Sequence, residues 1–298
     1  MAASADQIRG SLLGLACGDA LASRVRPNQR KAQAVTDSGA ALPRPGGITD
    51  DTQSALCIAE SYAARSGCDL TDIAARLCTW YRTQPPTVDT LTRRALDNVL
   101  AGRSPRRSGR GVGEDLPEGM RRGDACLPRA VPTGLVRRLD DTRLIGEARL
   151  IGAITHYDER CRMACACVSL ALAHILQSGT EGLLAALIGF AGPRNTVIAY
   201  GLEAIPDLAA GDLRGGGNVL DTLQAAVWAA WHARSIEDGL GALLSIGGDT
   251  HTPAAVGGAL LGARFGAAAL PASWPAVLSE GERIERCGQQ LCALALGE

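Results

Sequence analysis

Three features of this 298-residue sequence predict an all-α fold, a single compact multi-helix domain over 1–298. Aromatic residues make up only 3% of the chain and β-branched runs are few, whereas Ala, Leu and Gly dominate, a composition suited to helices packed closely through small residues. Apolar residues recur at helical spacing in several long segments. No Pro/Ser/Gly-rich linker divides the chain, and its two most chemically loaded motifs lie about 200 residues apart, which favours one domain that brings them together.

Ile8, Leu12, Leu15 and Ala16 fall on one helical face of segment 5–22. Residues 22–47 read as a long mobile loop leading into an acidic motif, and loops of that length inside a compact domain are often functional. Ala55, Leu56, Ala59 and Tyr62 predict a helix over 50–65. Residues 101–124 combine Gly, Pro, Arg and Ser without periodicity, as in Gly102-Arg103-Ser104-Pro105-Arg106-Arg107, and read as a second mobile surface loop. Segment 160–177 is apolar nearly all round, the signature of a central helix enclosed by others. The stretch 253–268 carries Gly258, Gly262 and Gly266 at every fourth residue, so one helical face is open to close approach by a neighbouring backbone.

Charge and cysteine usage exclude several classes of function. With 30 basic and 31 acidic residues, the chain has no global field to gather nucleic acid or an anionic membrane. Ten cysteines without a signal peptide, a CxxC pair or zinc-ligand spacing read as buried reduced thiols, as in Cys161, Cys165 and Cys167. The apolar stretch from Met163 to Leu176 is too short to span a bilayer and contains His174. A cytoplasmic protein, monomeric or weakly oligomeric, is expected. His174 reads as a hydrogen-bonded core residue and His232 as a helix-surface residue.

The sharpest local feature is Gly46-Gly47-Ile48-Thr49-Asp50-Asp51-Thr52-Gln53 ahead of an apolar helix. Ordinary capping explains Thr49 as an N-cap and two carboxylates in the first turn. A second element, Gly247-Gly248-Asp249-Thr250-His251-Thr252-Pro253, repeats the arrangement, with Thr252 placed as a cap and Pro253 at the first helical position. Side by side, the two would gather the carboxylates of Asp50, Asp51 and Asp249 with the hydroxyls of Thr49 and Thr252, a hard oxygen cluster at helix N-termini suited to Mg²⁺ or Mn²⁺. Without a cation, three close carboxylates repel one another.

These blocks resemble the paired metal-binding signatures of the ADP-ribosylglycohydrolase family, and other landmarks occur in family order. Arg9-Gly10-Ser11-Leu12-Leu13-Gly14-Leu15-Ala16-Cys17-Gly18-Asp19-Ala20-Leu21 is similar to its opening helix, and Gly123-Asp124-Ala125-Cys126-Leu127-Pro128-Arg129 to its substrate loop. Thr155-His156-Tyr157-Asp158 and Val219-Leu220-Asp221-Thr222-Leu223 continue the series. The resemblance implies an all-helical hydrolase with one or two Mg²⁺ or Mn²⁺ ions in a cleft, cleaving the bond from the distal ribose to an arginine-type nitrogen. It makes Asp50 and Asp51 catalytic or water-positioning groups as well as metal ligands, with Thr49, Asp249, His251 and Thr252 completing the metal set. Gly123, Asp124, Ala125, Cys126, Leu127, Arg129 and His156 become the substrate groove, and Asp19 an outer group at most.

The chain departs from the family pattern at several points. His251 stands where a second Asp is usual, removing one anionic oxygen and favouring a metal that tolerates nitrogen, unless the imidazole points away and one metal is lost. Asp124 replaces an Asn, Pro128 a Met, and the family's Asp-Ile-Gly segment survives only as Thr87-Val88-Asp89, its carboxylate displaced. Three readings follow: a hydrolase acting on an ADP-ribosylated protein, a hydrolase of a small N-ribosylated metabolite, or a non-catalytic ADP-ribose-binding homologue.

Overall fold

A computed structural model describes residues 3–23 and 47–297. Helix α1 (Ala5–Ala22) opens with a capping box in which Ser4 and Gln7 satisfy each other's backbone N–H groups. Helices α2 (Asp50–Arg65), α3 (Leu70–Tyr81) and α4 (Thr90–Leu100) start at Thr49, Asp69 and Asp89, whose side-chain oxygens accept from first-turn N–H groups. Two single-turn helices follow, α5 (Pro105–Ser108) and α6 (Arg110–Glu114), then α7 (Val131–Val136), α8 (Asp141–Ala153) and α9 (Glu159–Ser178). The chain continues through α10 (Leu183–Ala191), α11 (Thr196–Glu203), α12 (Val219–His232), α13 (Ile236–Leu244), α14 (His251–Phe265) and α15 (Gly281–Leu296). Among the described residues there is no strand, only an isolated antiparallel bridge between Gly123 and Asn218.

The most intimate packing joins α1 to α14. Gly10, Gly14 and Gly18 recur every four residues on α1 and face Gly262, Gly258 and Ala254 on α14; a Cβ added at Gly14 would collide with the Gly258 carbonyl, and one at Gly258 with the Gly14 carbonyl. Only bare backbone on both helices allows this approach. The glycine repeat read on α14 thus has its partner on α1. Gly266 continues the stripe against Gly10 and Asp6 of α1, and its φ of 88° ends the helix there.

Helix α9 runs through the middle, with Met163 to Val168 wholly buried, and touches α7, α8, α10, α12 and α14. By length and composition it could span a bilayer, but most of its surface is covered by those neighbours. None of the ten cysteines is in a disulfide, and all but Cys68 are buried. His174 lies half-buried near the end of α9, bonded to the Glu181 carbonyl oxygen, and His232 is half-buried against Trp228 and Trp231.

Two expectations need correction. Residues 101–124 are not irregular: they fold into α5, α6 and a 3-10 turn over Glu118–Arg121, pinned by a Ser108 hydroxyl that donates to the Ile154 carbonyl at 2.7 Å and by Val112 and Leu116 packing on Leu91 and Ala95. The second motif enters its helix two residues early, with Thr250 at the N-cap and Pro253 in the third position, so Thr252 projects from the first turn and does not cap. Of the loop expected over 22–47, only Ala22, Ser23 and Gly47 fall within the described residues.

Gly258→Ala should lower the free energy of unfolding by about 2–3 kcal/mol, because the added methyl must force two backbones apart. Gly146→Ala, in the α8 interior with nothing within 4 Å of the added carbon, should raise it by about 0.5–1 kcal/mol. Urea denaturation of the two variants checks both signs.

Candidate functional site

The close approach of α1 to α14 delivers Asp19, near the end of α1, to the start of α14, while α2 begins beside both. Asp19 is fully buried and accepts from five donors. The Thr49 amide and hydroxyl donate at 2.8 Å each, the Thr52 hydroxyl at 2.6 Å and amide at 3.3 Å, and His251 Nδ1 lies 3.0 Å away. One carboxylate therefore ties the first acidic motif to the second. The Thr49 hydroxyl also accepts from the Asp51 amide at 3.3 Å, the N-cap expected from the sequence.

Around this anchor the carboxylates accumulate. Asp51 is 2% exposed, and its Oδ1 has no hydrogen-bond partner. Burial, followed by the charges of Asp19, Asp50 and Asp124, holds its carboxyl well above the usual range, against a hydrogen bond from Thr252. Asp50, half-buried, is also raised, first by burial, with a Thr87 hydrogen bond and the Arg129 charge opposing. Burial pushes Asp124 up to about 6, although the Thr222 hydroxyl donates to it at 2.6 Å; the charge of Asp249 adds to the rise. Asp249 is exposed and accepts from the His251 amide at 3.2 Å.

The oxygens of Asp50, Asp51 and Thr252 could hold a hard cation, and the unpartnered, buried Asp51 Oδ1 fits one. Among the described residues no three His, Cys, Asp or Glu side chains form a ready metal cage, so threonine hydroxyls would have to complete the set. His251 spends Nδ1 on Asp19, and that hydrogen bond and charge raise its pKa despite burial. Within the protein the imidazole is a hydrogen-bond partner of Asp19.

The segment from Gly123 divides into lining and support. Gly123 is half-buried, and a Cβ there would come 3.0 Å from His156 Nε2, so the glycine makes room for the imidazole. Asp124 and Ala125 reach the surface slightly, whereas Cys126 and Leu127 are wholly buried and belong to the core. Arg129, 1% exposed, lies beneath the site and not along an open groove: it donates to Ser54 of α2 at 3.1 Å, to Thr92 of α4 at 2.8 Å and to Thr155 at 2.6 Å. These three residues, expected along a substrate groove, are thus placed in the interior beneath Gly123 to Ala125. His156 is fully buried with Nδ1 2.8 Å from the Thr155 hydroxyl; Nε2 has no hydrogen bond and lies 3.6 Å from Asp89 Oδ1.

Asp19, Asp89 and Thr222 contribute more than their sequence context suggests. Asp19 sits in an apolar helix with no local signal beyond its Gly18 neighbour, and its partners lie 30 to 232 residues away. Asp89 N-caps α4 through the Thr92 amide at 3.0 Å and also faces His156. Thr222, one turn into α12, looks like helix-start chemistry until Asp124 is placed beside it.

The family model described as ADP-ribosylglycohydrolase matches residues 1–297. An ADP-ribosylarginine hydrolase Tri1 from Serratia proteamaculans is 29% identical over 302 residues, an alignment covering 98% of this chain and 80% of the relative. An ADP-ribosyl-[dinitrogen reductase] glycohydrolase from Rhodospirillum rubrum is 27% identical, with 97% of each chain covered. A solved structure titled ADP-ribosylglycohydrolase-related protein complex superposes with a TM-score of 0.75 at 28% identity over 98% of both chains.

In chelated protein Asp19→Asn and Asp51→Asn should move stability in opposite directions. The first strips an acceptor from a saturated buried network and should cost about 3 kcal/mol; the second relieves repulsion and should raise the melting temperature. Asp124 adds a pH dependence. Its carboxyl near 6 lies above an unfolded value of about 3.9, so its contribution is present below the unfolded value and lost as pH rises through 6. Relative to wild type, Asp124→Asn should gain stability over that interval, as thermal melts at pH 4.5 and 7.5 would reveal.

Proposed function

Because the chain belongs to the ADP-ribosylglycohydrolase family, we propose that it hydrolyses the N-glycosidic bond joining ADP-ribose to an arginine-type nitrogen, releasing ADP-ribose and the free guanidino group, with Mg²⁺ or Mn²⁺ as cofactor. The observation that carries this reading is the buried, unpartnered Asp51 oxygen amid like charges at the junction of two helix starts. The relatives named for ADP-ribosylarginine hydrolysis support the substrate class.

Asp50, Asp51 and Thr252 would hold the cation, with Thr49 bracing them through Asp19; Asp249 would reach it only by turning from the His251 amide, and His251 would join only through the nitrogen that Asp19 leaves free. When bound, the ion supplies positive charge that fixes ribose hydroxyls and makes an adjacent water more acidic. Asp50 is the half-exposed carboxylate of the set, and its raised pKa suits it to take the proton from the attacking water. Asp51, sealed from solvent, keeps its place by the Thr252 hydrogen bond and serves as ligand. Gly123, Asp124 and Ala125 would border the substrate, with the buried His156 behind Gly123 and facing Asp89. Arg129 keeps α2, α4 and the Thr155 turn in register from below.

Purified protein should release arginine from ADP-ribosyl-arginine with Mg²⁺ or Mn²⁺ and lose that activity in EDTA. Asp50→Asn and Asp51→Asn should each reduce kcat by at least about 100-fold while circular dichroism stays helical. Full turnover in EDTA, or in both variants, would remove these groups from the reaction. His251→Asp exchanges a hydrogen-bond donor to Asp19 for a further carboxylate in an already acidic cluster, so it should lower metal-free stability and raise Mg²⁺ affinity. Thermal melts with and without Mg²⁺ read out both effects.

A further inference from the structure

The exposed arginines of segment 103–110 take no part in the site described above. Arg103, Arg106, Arg107 and Arg110 are all exposed, and among the described residues none pairs with a carboxylate. Residues 101–113 hold these four cations and no Asp or Glu, in a chain of net charge -1. The nearest acids in sequence, Asp97 and Glu114, flank the run; Asp97 faces Tyr81 and Cys78.

The run is also held in one shape. The Asn98 amide donates to the Ser108 carbonyl at 3.0 Å, the Arg103 amide to the Asn98 carbonyl at 2.9 Å, and the Ser108 hydroxyl to the Ile154 carbonyl at 2.7 Å. Gly109 sits where a Cβ would come within 2.6 Å of the Ala153 carbonyl oxygen, so only glycine allows this contact with the turn after α8. That turn continues directly into Thr155 and His156. An arginine-rich run on a fixed backbone therefore packs against the turn that leads into Thr155 and His156.

We propose that this arginine face is the docking surface for an acidic surface on the protein that carries the modification, a reading that rests on the hydrolase function proposed above. Charge complementarity selects the partner: the face is strongly positive on a chain that is otherwise slightly negative, so it discriminates by position and not by net charge. Exposed cations at fixed backbone positions favour encounter in the correct orientation and act chiefly on KM. An acidic polypeptide is favoured over single-stranded nucleic acid because Arg103 to Arg110 contains no aromatic platform; the nearby Tyr157 is half-buried between Arg110 and Arg162, at 5.9 and 5.3 Å.

The test compares wild type with the triple variant Arg103→Gln/Arg106→Gln/Arg107→Gln, which leaves Arg110 and Tyr157 in place. Two substrates are used: free ADP-ribosyl-arginine, and a protein ADP-ribosylated at an arginine flanked by acidic side chains. The expected result is a KM for the protein raised about tenfold at low salt, kcat unchanged and the free substrate unaffected, the difference vanishing in about 0.5 M NaCl. Binding of a fluorescein-labelled oligoglutamate peptide, read by anisotropy and needing no turnover, should weaken in parallel. Absence of turnover of free ADP-ribosyl-arginine by wild type defeats the proposed hydrolase function, and the peptide then decides the patch by itself. Equal peptide binding by the two proteins, an equal KM for the protein substrate, or tighter binding of a single-stranded oligonucleotide or of phosphatidylserine vesicles overturns the docking proposal.

Discussion

The contact of α1 with α14 is the constraint from which the site follows. Two helices approach this closely only where side chains are absent or no larger than a methyl at the crossing, and Gly10, Gly14 and Gly18 against Ala254, Gly258 and Gly262 meet that condition over more than two turns. The consequence lies at one end of the pair. Asp19, one residue beyond Gly18, is brought to the start of α14 and buried there, where it binds Thr49 and Thr52 of the α2 start and His251 of the α14 start. Small residues far from any chemistry thereby set how far apart two acidic motifs lie.

Electrostatics explains why the assembly tolerates so many carboxylates. Asp19 is compensated by five donors, one of them an imidazole whose pKa it raises. Asp50 feels Arg129 through the floor of the site, and Asp124 is held by Thr222. Asp51 alone combines near-complete burial, three acidic neighbours and an oxygen without a partner. In a low-dielectric setting such a group either holds a proton or meets a cation. That choice makes the position suited to metal-dependent chemistry and costly as mere scaffolding.

The long helices could be read in the sequence because their apolar residues recur at helical spacing, and Thr49 with Asp50 and Asp51 could be read because capping is local. Asp19 was obscured by its surroundings: its function depends on partners 30 to 232 residues away, which periodicity does not report. Pro253 suggested a helix start at Thr252, but Asp249 turns back to its own motif's amide and the helix begins at His251. The arginine-rich run over 101–113 lacks periodicity because its helices are single turns, and its order comes from tertiary bonds such as Ser108 to Ile154. The segment that resembles a substrate loop could be found from its local motif. Its division was not legible: Gly123 to Ala125 reach the surface, whereas Cys126, Leu127 and Arg129 are buried by long-range packing.

The central claim is that backbone packing between α1 and α14 determines whether the two acidic motifs act as one cation site. The most direct measurement is Mn²⁺ affinity, followed by electron paramagnetic resonance, of chelator-stripped wild type and of Gly258→Ala at a temperature where both are folded. The account predicts saturable binding by wild type and affinity at least about tenfold weaker in the variant, since tenfold corresponds to only about 1.4 kcal/mol of misplaced ligand geometry. Wild type that takes up no Mn²⁺, or a folded Gly258→Ala that binds it equally well, would contradict the account.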